Sequence, residues 1–223
     1  MADYGAAGHQ PASAADGGQF SPQESLALIS EQRAGAFRSL SPNPVPILGS
    51  WGVAWLFGFG ACYLASGRGS AAVLPGWAAW ATLSGLSVAA MAITARQLRR
   101  SGRGVAGPSR TVAAMYGWSW ALGCGGAYAL NLGLASQGMP VRLLPLLWPA
   151  STLLVVGVLY LAGGVIWQDR LTYGLGAWTL LVAGVSVAAG PPANFAVLAL
   201  AGGGGLLAAA AAAQRPHWWR VPR

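Results

Sequence analysis

Residues able to move protons, attack carbonyls or hold metals are scarce in this chain and stand far apart. The two histidines, His9 and His217, lie in the terminal tails, and the five carboxylates are Asp3, Asp16, Glu24, Glu31 and Asp169. All of them fall outside the long apolar stretches, so no carboxylate or imidazole pair is set up there for general acid–base work. Cys62 and Cys124 lie inside apolar stretches with no His or second Cys at metal-ligand spacing. They read as small buried hydrophobes. Ser84, Ser87, Ser119 and Ser186 have no base at the same depth and are expected to hydrogen-bond to neighbouring helices. What remains is amide and aromatic chemistry: Trp55, Tyr63, Trp120, Tyr128 and Asn131 are candidate packing or ligand positions. Helix glue is the preferred role for Asn131, and bundle packing for the aromatics. No catalytic, cofactor-binding or metal site is expected, and the chain reads as a non-enzyme.

Those groups are positioned by elements whose composition names their solvent. Of 223 residues, 55% are hydrophobic and 8% charged, against about 25% charged in a soluble domain. Lipid, not water, must surround most of the surface. All 13 basic residues are arginine and the net charge is +8. Nucleic-acid binding would need basic residues interleaved with aromatics on one face; here the arginines separate apolar runs. Nucleic acid is therefore not an expected partner.

Six apolar segments are expected to span a membrane: 46–65, 74–95, 112–134, 143–167, 172–190 and 193–213. Each is close to the ~20 residues that cross ~30 Å of hydrocarbon, and none has an acid or base in its core. The last is poor in bulky side chains, with Gly202 to Gly205 followed mostly by alanine, so its insertion should depend on packing. Ahead of them, residues 1–20 are too poor in bulky apolar side chains to order. No basic segment followed by an apolar one opens the chain, so a cleaved signal peptide is not expected. Ser21-Pro22-Gln23-Glu24 has the form of a capping box with proline at the first helical position. It should start an amphipathic interfacial helix over 21–41, ended by Ser41-Pro42-Asn43-Pro44. The tail 214–223 is basic.

Arginine placement sets the orientation. Arg33, Arg38, Arg96, Arg99, Arg100, Arg103, Arg110, Arg170, Arg215, Arg220 and Arg223 fall on one side; Arg68 and Arg142 fall on the other. The positive-inside rule then places both termini in the cytoplasm, with Arg96, Arg99, Arg100, Arg103 and Arg110 forming a cytoplasmic contact loop. Trp51, Trp118, Trp167, Trp178, Trp218 and Trp219 toward the inner ends, and Trp77, Trp80 and Trp148 toward the outer, read as interfacial belts. Asp169 and Arg170 should cap a tight corner.

The spans also resemble one another. Gly52, Trp55, Gly58, Gly60 and Tyr63 recur as Gly117, Trp120, Gly123, Gly125 and Tyr128 at a constant offset of 65. Leu159, Leu161, Ala162, Gly163 and Gly164 likewise recur as Leu198, Leu200, Ala201, Gly202 and Gly203. The expected fold is thus an all-α membrane protein of six transmembrane helices in helical-hairpin pseudo-repeats, packed through small residues.

Glu31-Gln32-Arg33-Ala34, Trp51-Gly52-x-x-Trp55-x-x-Gly58-x-Gly60 and Leu161-Ala162-Gly163-Gly164 resemble a group of small actinobacterial six-helix integral membrane proteins. That resemblance, over residues 24–213, implies the topology, the bacterial plasma membrane and a transporter-like role; it hands over no functional residues. A second resemblance is to the membrane subunit of ABC-2-type exporters, which implies a separate ATPase at the 96–110 loop. Two departures stand against it: the loop carries no acids, and no polar re-entrant connection joins the last two spans. The expected function is therefore a non-enzymatic subunit or accessory of a transport system. Its alternative is a membrane sensor or scaffold whose basic cytoplasmic face engages anionic lipid or a regulator. Expected partners are the lipid bilayer and a separate ATPase or regulatory protein on the cytoplasmic side, with a homo-oligomer left open.

Overall fold

A computed structural model describes residues 21–28, 42–67, 73–101 and 108–214. The chain divides at residue 41 into two units. In the first, helix α1 covers residues 22–28. Its start is the expected capping box: the Ser21 N–H donates to Glu24 Oε2 at 2.8 Å, and the Glu24 N–H donates back to Ser21 Oγ at 3.2 Å. The rest of the expected interfacial helix, the tail 1–20 and residues 215–223 lie outside the described residues, as do Arg68 and Arg103.

Every regular element of the second unit is helical among the described residues: α2 Pro44–Ala65, α3 Gly76–Ser101, α4 Pro108–Ser136, α5 Leu144–Ile166, α6 Arg170–Ala189, α7 Ala193–Val197 and α8 Gly204–Ala213. Local chemistry fixes the ends. Asn43 caps α2 by accepting from the Val45 N–H at 3.0 Å, with Pro44 in the first turn. Asp169 caps α6 by accepting from the Leu171 N–H and the Thr172 hydroxyl. The α4–α5 and α5–α6 turns both close with a bond from the third residue past the helix: Met139 N–H to Leu134 O at 3.2 Å, and Asp169 N–H to Gly164 O at 2.9 Å. This closure needs a left-handed residue, supplied by Gly138 (φ 85°) and by Gln168 (φ 53°).

Five stretches are long and apolar enough to cross a membrane: Pro44–Ala65, Gly76–Arg100, Val141–Ile166, Arg170–Ala189 and Ala193–Ala213. They match five of the six expected spans within a few residues. The remaining expected span, 112–134, does form a helix, the 29-residue α4, but it falls short in hydropathy. Tyr116, Trp118, Trp120, Tyr128 and Asn131 with Gly117, Gly123, Gly125, Gly126 and Gly133 take the places that aliphatic side chains hold elsewhere.

The helices pack in the order α3, α2, α7–α8, α6, α5, α4. Each neighbour runs antiparallel to the next, as the close pairs show: Leu83 on Gly58, Gly52 on Leu207, Trp178 against Gly205, Gly176 on Leu161, and Gly123 on Val155. The core sits where α2, α6 and α7–α8 meet, around Trp55, Phe59, Val182, Phe195, Leu198 and Leu206. Helices α3 and α4 lie at the ends of the order, and no extensive packing joins them.

Glycine makes these contacts possible. A Cβ on Gly203 would stand 2.6 Å from Leu56 N and 2.9 Å from Gly52 O; one on Gly176 would stand 2.6 Å from Leu161 N and 2.8 Å from Gly157 O. Backbone lies on backbone there, the contact that dispersion can exploit where lipid supplies no hydrophobic push. The last span is not a plain helix. Between α7 and α8, Leu198–Gly203 widens into π geometry, and the Trp178 indole donates to Ala201 O in that turn at 3.0 Å.

Candidate functional site

The expected chemistry-bearing residues converge chiefly on the seam between α4 and α5. Tyr116, Trp120, Gly123 and Asn131 follow one another at spacings of four, three and eight residues, which puts them on one face of α4. Near one end of the seam, the Tyr116 hydroxyl donates to Leu159 O at 2.7 Å. Its ring lies edge-on to Trp167 at 4.6 Å and to Trp120 at 6.2 Å, and Trp120 meets Tyr160 at 5.5 Å. Near the other end, Asn131 Nδ2 donates to Ser151 Oγ at 2.8 Å, and that hydroxyl donates to Trp148 O at 3.2 Å. Tyr128 is edge-on to Trp148 at 5.1 Å.

Asn131 is 1% exposed and is the one fully buried residue of α4 among the described side chains. Asn194, at the start of α7, is equally buried, and its Nδ2 donates to Pro145 O at 2.9 Å. Both carbonyl oxygens, Asn131 Oδ1 and Asn194 Oδ1, are buried without a donor. Each is a polar atom whose burial costs free energy until a donor reaches it.

Trp55 and Tyr63 stand elsewhere. Trp55 is buried in the α2 core, edge-on to Phe59 and against Gly202; Tyr63 is exposed near the end of α2. The recurring motif therefore does not gather its aromatics into one site. Gly58 and Gly123 do share a role, each receiving an aliphatic side chain from the following helix, Leu83 and Val155. Gly52 packs on Leu207, whereas Gly117 has nothing within 4 Å.

Three expectations need correction. Ser119 and Ser186 do not bridge helices; they donate to Met115 O and Ala183 O on their own helices. A short hydroxyl reaches its own preceding turn most readily. Most bridging falls to longer side chains: Trp51 to Thr94, Tyr116 to Leu159, Asn131 to Ser151, Trp178 to Ala201, and Asn194 to Pro145. Trp51 and Trp178 are thus tied into interhelical bonds and are not simply belt residues. Cys62 is buried as expected, but Cys124 is exposed, because α4 turns only its 116–131 seam toward α5.

The described arginines of the expected contact loop, Arg96, Arg99 and Arg100, lie at the C-terminal end of α3. Arg110 falls in the first turn of α4. Antiparallel packing puts these two helix ends at the same end of the bundle as Arg170, and puts Arg142 at the other. Sequence reasoning missed Tyr116, Tyr160, Pro149 and Asn194. Pro149 carried the only local signal, a proline inside an apolar run whose missing N–H must leave a carbonyl in need of a donor.

The gathered groups are phenols, indoles and amides, which hold and stack. Among the described residues the fold is all-helical, and its five helices long and apolar enough to cross a bilayer are compatible with a polytopic membrane protein. Comparison with protein-family models, curated proteins and solved structures gives no match to this chain.

Proposed function

We propose that this chain is a six-span protein of a bacterial plasma membrane, with both ends in the cytoplasm, serving as a non-enzymatic subunit or accessory of a transport system. The hairpins α2–α3 and α4–α5 are related copies in this reading, which the matching places of Gly58 and Gly123 support. The observation that carries it is the placement of α4. From Tyr116 to Asn131 it runs antiparallel beside α5, which is apolar enough to span, so it occupies the same depth. This supports six crossings, and the positive-inside rule supports an inward setting for the collected arginine-bearing ends.

The other face of α4 supports a subunit role. Ala113, Gly117, Ala121, Gly125, Ala129 and Gly133 form an exposed stripe at four-residue spacing, and no atom lies within 4 Å of a Cβ built on its glycines. Such a stripe, on the long helix with the smallest share of valine, isoleucine and leucine, suits close approach of another protein helix better than lipid. The cytoplasmic arginines would then meet a separate ATPase or regulator.

The test is purification in mild detergent after in-cell crosslinking from Cys124. An ATPase recovered at fixed stoichiometry, whose hydrolysis rate changes when this chain is added back in liposomes, supports the proposal. A chain that stays alone, and whose deletion alters no export or uptake, overturns it. Reporters fused at either terminus check the topology independently; an external signal from one end removes the six-span reading.

A further inference from the structure

The last turns of α3 carry three guanidinium groups within five residues. Arg96, Arg99 and Arg100 are all exposed, and helix geometry sets Arg96 about 5–6 Å from each of the other two at the Cβ atoms. No carboxylate pairs with them among the described residues, and α2, the helix packed on α3, contains no acid or base. With Ala92 and Ala95 they line an open hollow of about 400 Å³. Below it, Val88, four residues before Ala92, continues the same side of α3 as exposed apolar surface, 68% accessible. The result is a cationic mouth above an apolar track, at the end of a helix long and apolar enough to cross a bilayer.

We infer that this hollow binds the phosphate of an anionic phospholipid, with the acyl chains lying along Ala92 and Val88. Guanidinium forks match phosphate oxygens in two-point geometry and hold their charge at any working pH. A soluble phosphate ester would satisfy the arginines alone and leave the apolar track unused. The inference does not depend on a transport role or on which side of the membrane this end faces.

Native mass spectrometry of the delipidated full chain in detergent tests it, with phosphatidylglycerol and phosphatidylcholine added in parallel. Each basic group near an anionic lipid surface contributes about fivefold in affinity. The natural chain should retain phosphatidylglycerol at least about tenfold better than phosphatidylcholine. The triple variant Arg96→Gln, Arg99→Gln, Arg100→Gln should lose that preference, while Arg142→Gln keeps it and the triple lysine variant keeps most of it. Should the triple glutamine variant fail to fold, Arg99→Gln and Arg100→Gln singly should each weaken binding about fivefold. Equal retention of both lipids by the natural chain overturns the proposal, as does an unchanged preference in the folded glutamine variants. Displacement of the lipid by glycerol 3-phosphate at matched concentration overturns it in favour of a free anion site.

Discussion

Asn194 Nδ2 donates to the carbonyl of Pro145 at 2.9 Å, and that carbonyl is the one Pro149 leaves without its helical donor. In α5 the N–H of residue 149 would bond to the oxygen of residue 145, but proline has no N–H. The side chain of a residue 49 positions away fills the vacancy, so the missing backbone bond in α5 and the start of α7 are coupled. Pro149→Ala restores the backbone donor, and Asn194 then becomes redundant. Asn194→Ala should therefore destabilise the natural chain more than it destabilises the Pro149→Ala chain. The coupling should be about 0.5–1.5 kcal/mol, in the range of interhelical bonds within membranes. Thermal or denaturant unfolding of the four chains in one detergent gives the cycle; additivity within error contradicts the coupling.

Gln168 holds φ 53° at the close of α5, a conformation that costs a residue with a Cβ about 1 kcal/mol. Its Nε2 donates to Val165 O at 2.8 Å and offsets part of that cost. Gln168→Gly should leave unfolding temperature unchanged or slightly higher. Gln168→Val, β-branched and without the amide, should lower stability by more than about 1 kcal/mol. A valine variant as stable as the glycine one would contradict the assignment.

Much of this architecture was legible in the chain because solvation dictates it. Uncharged runs near twenty residues have one stable setting, and Ser21, Glu24 and Asp169 act through neighbours two or three positions away. The pairing of Asn194 with Pro145 was not legible, since nothing local says which distant amide will meet a carbonyl freed by proline. Nor could the offset of 65 show that Trp55 enters the core while Trp120 faces a seam. Identical residues inherit their surroundings from the helices beside them, and α2 has two such neighbours where α4 has one. The two arginine-bearing ends of α3 and α4, by contrast, follow from sequence spacing alone.

Glu24 accepts hydrogen bonds from Ser21, first from its backbone N–H, and these hold its carboxyl below the ordinary value of 4.5. A depressed value means that the carboxylate form favours the folded helix start. That contribution is complete above the ordinary value and is lost as pH falls through the lowered one. In the full chain, amide protection over 22–28 should hold near pH 5 and decline below the ordinary carboxylate range. A carbon-detected titration of Glu24 should show its value rising toward 4.5 in Ser21→Gly. An unchanged value there would contradict the reciprocal cap.

Two sets of glycines separate packing from propensity. Gly203 and Gly176 lie against backbone atoms of the neighbouring helix, which cannot turn aside as a side chain can. Adding one methyl group there pushes whole helices apart, and it does so in the middle of the packing order. Gly184, on α6, has nothing within 4 Å of a Cβ, so alanine there should gain helix propensity of about 0.5–1 kcal/mol. Gly203→Ala and Gly176→Ala should each cost more than about 2 kcal/mol, by the overpacking that rigid cores resist. Fluorescence-detected size exclusion after heating ranks the three variants directly. Gly203→Ala matching Gly184→Ala in melting temperature would mean that α2 and the last span are not held backbone to backbone.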